Sequence, residues 1–109
     1  MRKVIVITTS FEAIHHWPDC PIEEVSFLKN PHRHIFHVTA KFTVSHNNRD
    51  IEFIAKKREV EQYVDVHFRS KNLGALSCED IAEALFSTFN ASFISVYEDN
   101  ENGSEIYEN

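Results

Sequence analysis

The sequence predicts one α+β domain whose elements follow the order ββααββ. Three observations lead there: a first stretch rich in β-branched residues followed by one in which apolar residues recur at every second position, a change to helical spacing after Phe53, and a return to short strand-like runs after Phe89. A chain of 109 residues fits a single domain, residues 1–109, with a modest core. No internal repeat or low-complexity tract divides it.

Lys3 to about Phe11 is rich in β-branched residues and reads as a first strand, buried on at least one face. Trp17-Pro18-Asp19-Cys20-Pro21 then breaks regular structure, and a long loop leads to a second strand from about Arg33 to Ser45. In that strand His34, Phe36, Val38, Ala40, Phe42 and Val44 share one face, while Ile35, His37, Thr39, Lys41 and Thr43 share the other. The face bearing His34 is the more apolar. Asn47-Asn48-Arg49-Asp50 forms a turn, because Asn and Asp tolerate left-handed backbone.

From about Phe53 to Phe68 the residues Val60, Tyr63, Val64, His67 and Phe68 fall at i, i+3, i+4, i+7 and i+8, the pattern of an amphipathic helix with one buried stripe. A linker with Asn72 and Gly74 follows. Ser77 and Asp80 give an approximate capping box, and the helix they open runs to about Phe89 with Ile81, Ala82, Leu85, Phe86 and Phe89 as its apolar surface. Phe93 to Tyr97 is strand-like, Asn100 to Ser104 is a turn, and Glu105 to Tyr107 pairs back as a short last strand.

A net charge of −6, from 17 acidic and 11 basic residues, argues against a nucleic-acid partner, which needs a basic face. The one basic run, Lys56-Lys57-Arg58, lies among Glu52, Glu59 and Glu61 and reads as a solvated helix face. Cys20 and Cys78 form neither a CxxC motif nor a disulfide framework, so a reducing, cytoplasmic compartment is expected. The apolar run Val4-Ile5-Val6-Ile7 is too short for a signal core or a membrane span, so no membrane partner is expected. A domain this small gains from burying surface between copies, and a homo-oligomer is expected.

Three histidines carry the chemistry. His32 and His34, in Pro31-His32-Arg33-His34-Ile35-Phe36-His37-Val38, are separated by one residue and therefore lie on the same face of a strand. A third from a nearby loop, His15 in Phe11-Glu12-Ala13-Ile14-His15, completes a facial set; His16 beside it is an alternative. Three imidazoles suit Zn²⁺, and a free fourth position separates a catalytic zinc from a structural one. A closed structural site needs a fourth protein ligand, for which Cys20 is the plausible thiolate.

These segments, with Leu76-Ser77-Cys78-Glu79 and Val96-Tyr97-Glu98, resemble the 6-pyruvoyl-tetrahydropterin synthase and 6-carboxy-tetrahydropterin synthase family. The matching family signatures are F-x-A-A-H, H-G-H-x-Y-x-V, P-T-S-E and a late strand ending in Glu, in the same order along most of the chain. The resemblance implies a tunnelling fold: an antiparallel sheet with two helices on one face, protomers joined through their strands into an oligomeric β-barrel, a trimer or a hexamer of two stacked trimers. It implies His15, His32 and His34 as zinc ligands and Glu98 as the carboxylate that anchors a pterin- or purine-like ring. It also places Ser77 and Cys78 at a helix start beside the same pocket, where free backbone N–H groups could meet a ligand.

The chain departs from the family pattern in three places. Arg33 replaces the glycine between the histidines, Phe27-Leu28-Lys29-Asn30 occupies the stretch that carries the catalytic cysteine, and no Asp-His dipeptide occurs. Cys20, Asp65 and His67 are the candidates for the missing proton-transfer groups, with Glu23 and Glu24 as stand-ins. The activity implied is a zinc-dependent lyase of a reduced pterin such as 7,8-dihydroneopterin triphosphate. The alternative is a catalytically degenerate zinc-containing oligomer that binds a purine- or pterin-like ligand.

Overall fold

In the computed structural model, which describes residues 1–109, strand β1 (Lys3–His15) pairs antiparallel with β2 (His32–Val44), and a 3-10 segment (Glu23–Lys29) lies between them. Helices α1 (Phe53–His67) and α2 (Cys78–Phe89) follow, and the hairpin of β3 (Phe93–Glu98) and β4 (Asn102–Tyr107) completes the chain. The sheet order is β1-β2-β3-β4, with every neighbouring pair antiparallel. No helix is long and apolar enough to cross a membrane.

Alternation decides the layers. Ile7, Phe11 and Ala13 of β1, Phe36, Val38, Ala40 and Phe42 of β2, and Ile94 and Val96 of β3 are buried together against Val60 and Val64 of α1 and Ile81, Ala82 and Leu85 of α2. Both helices therefore lie on one face of the sheet, and the apolar side of β2 is the covered side. Burial of this kind contributes about 25 cal/mol per Å² of apolar surface, the main favourable term for so small a domain. The helix ends are closed locally: Glu52 accepts the N–H groups of Ile54 and Ala55, each at 3.0 Å, and Asn90 ends α2 in the left-handed conformation with φ 52°.

Three boundaries differ from the sequence expectation. β1 runs past Phe11 to His15 because alternation continues through Ala13 and because segment Ser70–Gly74 bonds its outer edge: Ser70 N–H to Glu12 O, Ile14 N–H to Lys71 O and Leu73 N–H to Ile14 O. The loop between the first two strands contains the 3-10 segment, which has no buried residue and so leaves no apolar pattern to read. β4 begins at Asn102, making the turn shorter than Asn100–Ser104, because Asp99 and Asn100 both take positive φ and reverse the chain at once.

Gly103 makes that tight hairpin possible. A Cβ there would collide with the Val96 carbonyl oxygen and lie 2.7 Å from Tyr97 Cα. Gly103→Ala is expected to lower stability by about 1–3 kcal/mol through overpacking, read as a lower thermal midpoint with far-ultraviolet dichroism unchanged at low temperature. An unchanged midpoint would mean that β4 sits further from β3 than described.

Candidate metal centre

The strand register builds the histidine cluster. His15, the last residue of β1, stands directly opposite His32, the first of β2, and Ala13 stands opposite His34. The small Ala13 side chain leaves room for the diagonal contact between His15 and His34, whose rings lie 5.3 Å apart; His32 is 4.7 Å from His15 and 4.9 Å from His34. One ligand nitrogen from each ring falls within 4.8 Å of the other two. The expectation that His15 comes from a loop is corrected: it sits on the strand, held in the ladder.

Each ring is oriented by a bond at Nδ1. His15 Nδ1 meets Leu76 O at 2.8 Å, His32 Nδ1 meets Asn30 O at 2.8 Å, and His34 Nδ1 meets Asp99 Oδ2 at 2.7 Å. A carbonyl only accepts, so the first two rings must carry their proton on Nδ1, leaving the Nε2 lone pair for the cluster. This is the arrangement in which histidines bind metals.

Glu98 adds a carboxylate. It pairs across the ladder with Phe36, two residues beyond His34, so its side chain reaches the same face. Its Oε2 lies 2.8 Å from His15 Nε2 and its Oε1 3.6 Å from His34 Nε2. The first contact is short but poorly aligned for an N–H bond, and His15 Nε2 is a buried nitrogen with no satisfactory hydrogen-bond partner. A lone pair facing a carboxylate calls for a cation, supplied by a proton or a metal ion. In the metal-free chain the proton is favoured: the Glu98 contact raises the His15 pKa against the effect of burial, and Glu98 is lowered, chiefly by His15. The donor set therefore fits a divalent metal bound by three imidazoles, which zinc, copper, nickel and iron all accept.

Beside the cluster opens a cavity of about 430 Å³, within the range of small-molecule sites. It is lined by His15, His32 and Glu98 together with Trp17 and Leu28, with Ser77, Cys78 and Glu79 at the start of α2, and with Asn102 and Gly103 of β4. Ser77 is less available than expected: its hydroxyl accepts the Asp80 N–H at 3.1 Å and its own N–H goes to Asp80 Oδ2 at 3.0 Å, a full capping box. Of the first-turn donors, the N–H groups of Cys78 and Glu79 have no acceptor within the helix. Burial first, then the charges of Glu98 and Glu79, push the Cys78 thiol up to about 12, so it is a neutral wall group at physiological pH.

The proton-transfer candidates do not reach the cavity within one chain. Cys20 is buried, with its sulfur turned to the carbonyls of Ile22 and Val25 at 3.6 and 3.7 Å. It is not among the clustered ligand atoms, so the cluster offers three imidazoles and no thiolate. Asp65 is exposed on α1 and paired with Arg69, while the exposed His67 stacks on Tyr63 at 4.2 Å. Glu23 and Glu24 are exposed on the 3-10 segment. Besides the neutral Cys78 thiol, the titratable groups that line the cavity away from the cluster are His16 and Glu79. Asp99 escapes sequence reasoning; the one local signal is the Asp99-Asn100 pair after Glu98, residues that tolerate the left-handed backbone found there.

No protein-family model and no curated protein sequence matches the chain. Its structure is similar to that of Caenorhabditis elegans 6-pyruvoyl tetrahydropterin synthase, with a TM-score of 0.82 at 13% identity, covering 100% of this chain and 97% of that one. It is also similar to an uncharacterized protein from Wolinella succinogenes, with a TM-score of 0.74 at 9% identity, covering 100% and 99% of the two chains. The chain thus has the tunnelling fold of 6-pyruvoyl tetrahydropterin synthase, in a strongly divergent sequence.

Proposed function

We propose that the chain is a zinc-dependent lyase of the 6-pyruvoyl/6-carboxy-tetrahydropterin synthase type, acting in the cytoplasm on a reduced pterin such as 7,8-dihydroneopterin triphosphate. The observation that supports it most is the convergence of three histidines, each with Nδ1 engaged, beside a carboxylate that lines a ligand-sized cavity. His15, His32 and His34 would hold the zinc, which when bound supplies Lewis acidity toward substrate oxygens. Glu98 accepts the paired N–H groups of the pterin's amidine-like edge, as a carboxylate does from Arg. Trp17 offers a flat apolar wall for the ring, and Cys78 closes the cavity beside Glu98. Assembly into a trimer or hexamer is supported by the two sheet edges: β4 has no strand neighbour on its outer side, and the first half of β1, ahead of the part bonded by Ser70–Gly74, has none either and exposes Val4 and Val6.

A second reading is a zinc-containing oligomer that binds a pterin- or purine-like ligand without turning it over. It is favoured by the placement of Cys20, Asp65 and His67 away from the cavity. Incubating zinc-loaded protein with 7,8-dihydroneopterin triphosphate and following product mass separates the two. A new pterin supports the lyase; unchanged substrate that nonetheless binds in calorimetry supports the binder. Glu98→Gln is expected to weaken pterin binding about ten- to a hundredfold, the worth of a hydrogen bond to a charged group. Equal affinity in the variant would remove the ring-anchor role under either reading.

A further inference from the structure

Glu98 and Asp99 are consecutive, yet they approach the two nitrogens of one imidazole from opposite sides. Glu98 Oε1 stands 3.6 Å from His34 Nε2 and Asp99 Oδ2 2.7 Å from His34 Nδ1. Asp99 is also tied to the strand that carries His34. Its Oδ1 accepts the Ile35 N–H at 2.9 Å, and its own N–H donates to Ile35 O at 2.8 Å. The carboxylate thus has one oxygen for the backbone of β2 and the other for the ring one residue earlier.

The backbone shows that this side chain is held at a cost. Asp99 has φ 53° and Asn100 φ 59°, a left-handed pair that glycine adopts with least cost and that Asp and Asn tolerate better than other residues. An aspartate here gives up backbone ease and adds a charge-assisted acceptor for the His34 ring. His15 and His32 have their tautomer fixed by backbone carbonyls, whereas His34 depends on this one side chain.

We propose that Asp99 is a positioning residue of the metal centre: it fixes the proton of His34 on Nδ1, aims Nε2 at the other two histidines, and thereby sets the affinity for the metal. The proposal rests on the reading of the histidine cluster as a metal centre.

The chemistry of the amide gives an unusual ranking. Asparagine keeps the shape and tolerates the left-handed turn, but it has one acceptor oxygen. If that oxygen keeps the Ile35 N–H, the NH₂ group faces His34 Nδ1 and is satisfied only when Nδ1 is bare and the proton sits on Nε2. That tautomer leaves no lone pair on Nε2, the nitrogen aimed at the other two histidines. Alanine and glycine remove the constraint without imposing the wrong one, and glycine also relieves the backbone.

The test uses the full chain with Asp99→Asn, Asp99→Ala and Asp99→Gly. Zinc affinity is measured by competition with a chromophoric chelator, and melting is followed on the metal-free proteins. Asp99→Asn is expected to lose about ten- to a hundredfold in zinc affinity, at least as much as Asp99→Ala, with all three folded. A purely structural turn residue would give the reverse order, with asparagine the mildest change. Zinc affinity of Asp99→Asn within about threefold of the parent, or better retention by Asn than by Ala, would overturn the proposal. Should the Asn and Ala chains not fold, Asp99→Gly decides alone: parental affinity overturns the assignment and a loss of tenfold or more supports it. A parent chain that binds no zinc defeats the metal-centre reading and this proposal together, whereas a binding parent with indifferent variants defeats only the latter.

Discussion

His15→Ala is expected to empty the metal centre, taking the content from about one ion per chain to none, measured by plasma mass spectrometry on tag-free protein. Three imidazoles share a binding free energy on the order of 10 kcal/mol, so the loss of one costs about two to three powers of ten in affinity. His15 is the most telling of the three. It is 8% exposed, and its ring is fixed by Leu76 O on one side and faces Glu98 on the other. His16→Ala is the matched control and should keep the metal, because His16 is not part of the cluster. Loss of metal from the His16 variant but not the His15 variant would move the ligand assignment by one residue.

The same pair predicts opposite pH trends for the two forms. His15 is raised, so its stabilising contribution is complete below its ordinary value of 6.5 and is lost as pH rises through the raised one. Glu98 is lowered, so its contribution is complete above 4.5 and is lost as pH falls through the depressed value. The metal-free chain should therefore gain most from this pair between about pH 4.5 and 6.5. Metal binding needs unprotonated rings, so the metal-dependent increment in melting temperature should grow as pH rises through that range and beyond. An increment independent of pH would separate the metal from these histidines.

Phe36→Ala is expected to cost about 3–5 kcal/mol, lowering the melting temperature by more than about 12 °C in a domain of this size. Phe36 has no exposed surface, stacks on Phe11 at 5.1 Å, and lies edge-on to His15 and His34 at 5.3 and 5.9 Å. Phe11 in turn stacks on Phe68 at the end of α1, at 5.5 Å. One aromatic column thus links helix, sheet and histidines, and truncating it leaves a void that the histidine rings can tilt into. Zinc affinity should fall together with stability. Phe27→Ala, at a position 64% exposed, should stay within about 0.5 kcal/mol of the parent. Similar melting for the two variants would contradict the described core.

The sequence was most readable where a single period dominates. The alternation of β2 and the 3.6-residue stripe of α2 each bury one side chain type on one face, and both elements appear where expected. His32 and His34 were legible for the same reason, since a strand puts i and i+2 together. Readability failed where the stabilising partner is distant or is backbone. The outer edge of β1 is completed by Ser70–Gly74, far along the chain, and no local pattern announces it. His67 falls on the helical stripe by spacing yet is exposed beside Tyr63, and its neighbour Phe68 takes the buried place against Phe11. Asp99 was hidden because its role depends on a ladder between β2 and β3 and on a turn shorter than its composition suggests.

The thirteen-residue pairing of β1 with β2 permits an error that its alternation cannot correct. A slip of one residue turns every side chain over and is strongly disfavoured, but a slip of two keeps the same residues facing inward. Such a chain would still carry a sheet, two helices and a near-native dichroism spectrum, with His15 displaced from its place opposite His32. The ladder is therefore proofread at its far end, where three rings must meet within 4.8 Å. A chain slipped by two would therefore lose the three-ring site while keeping its sheet.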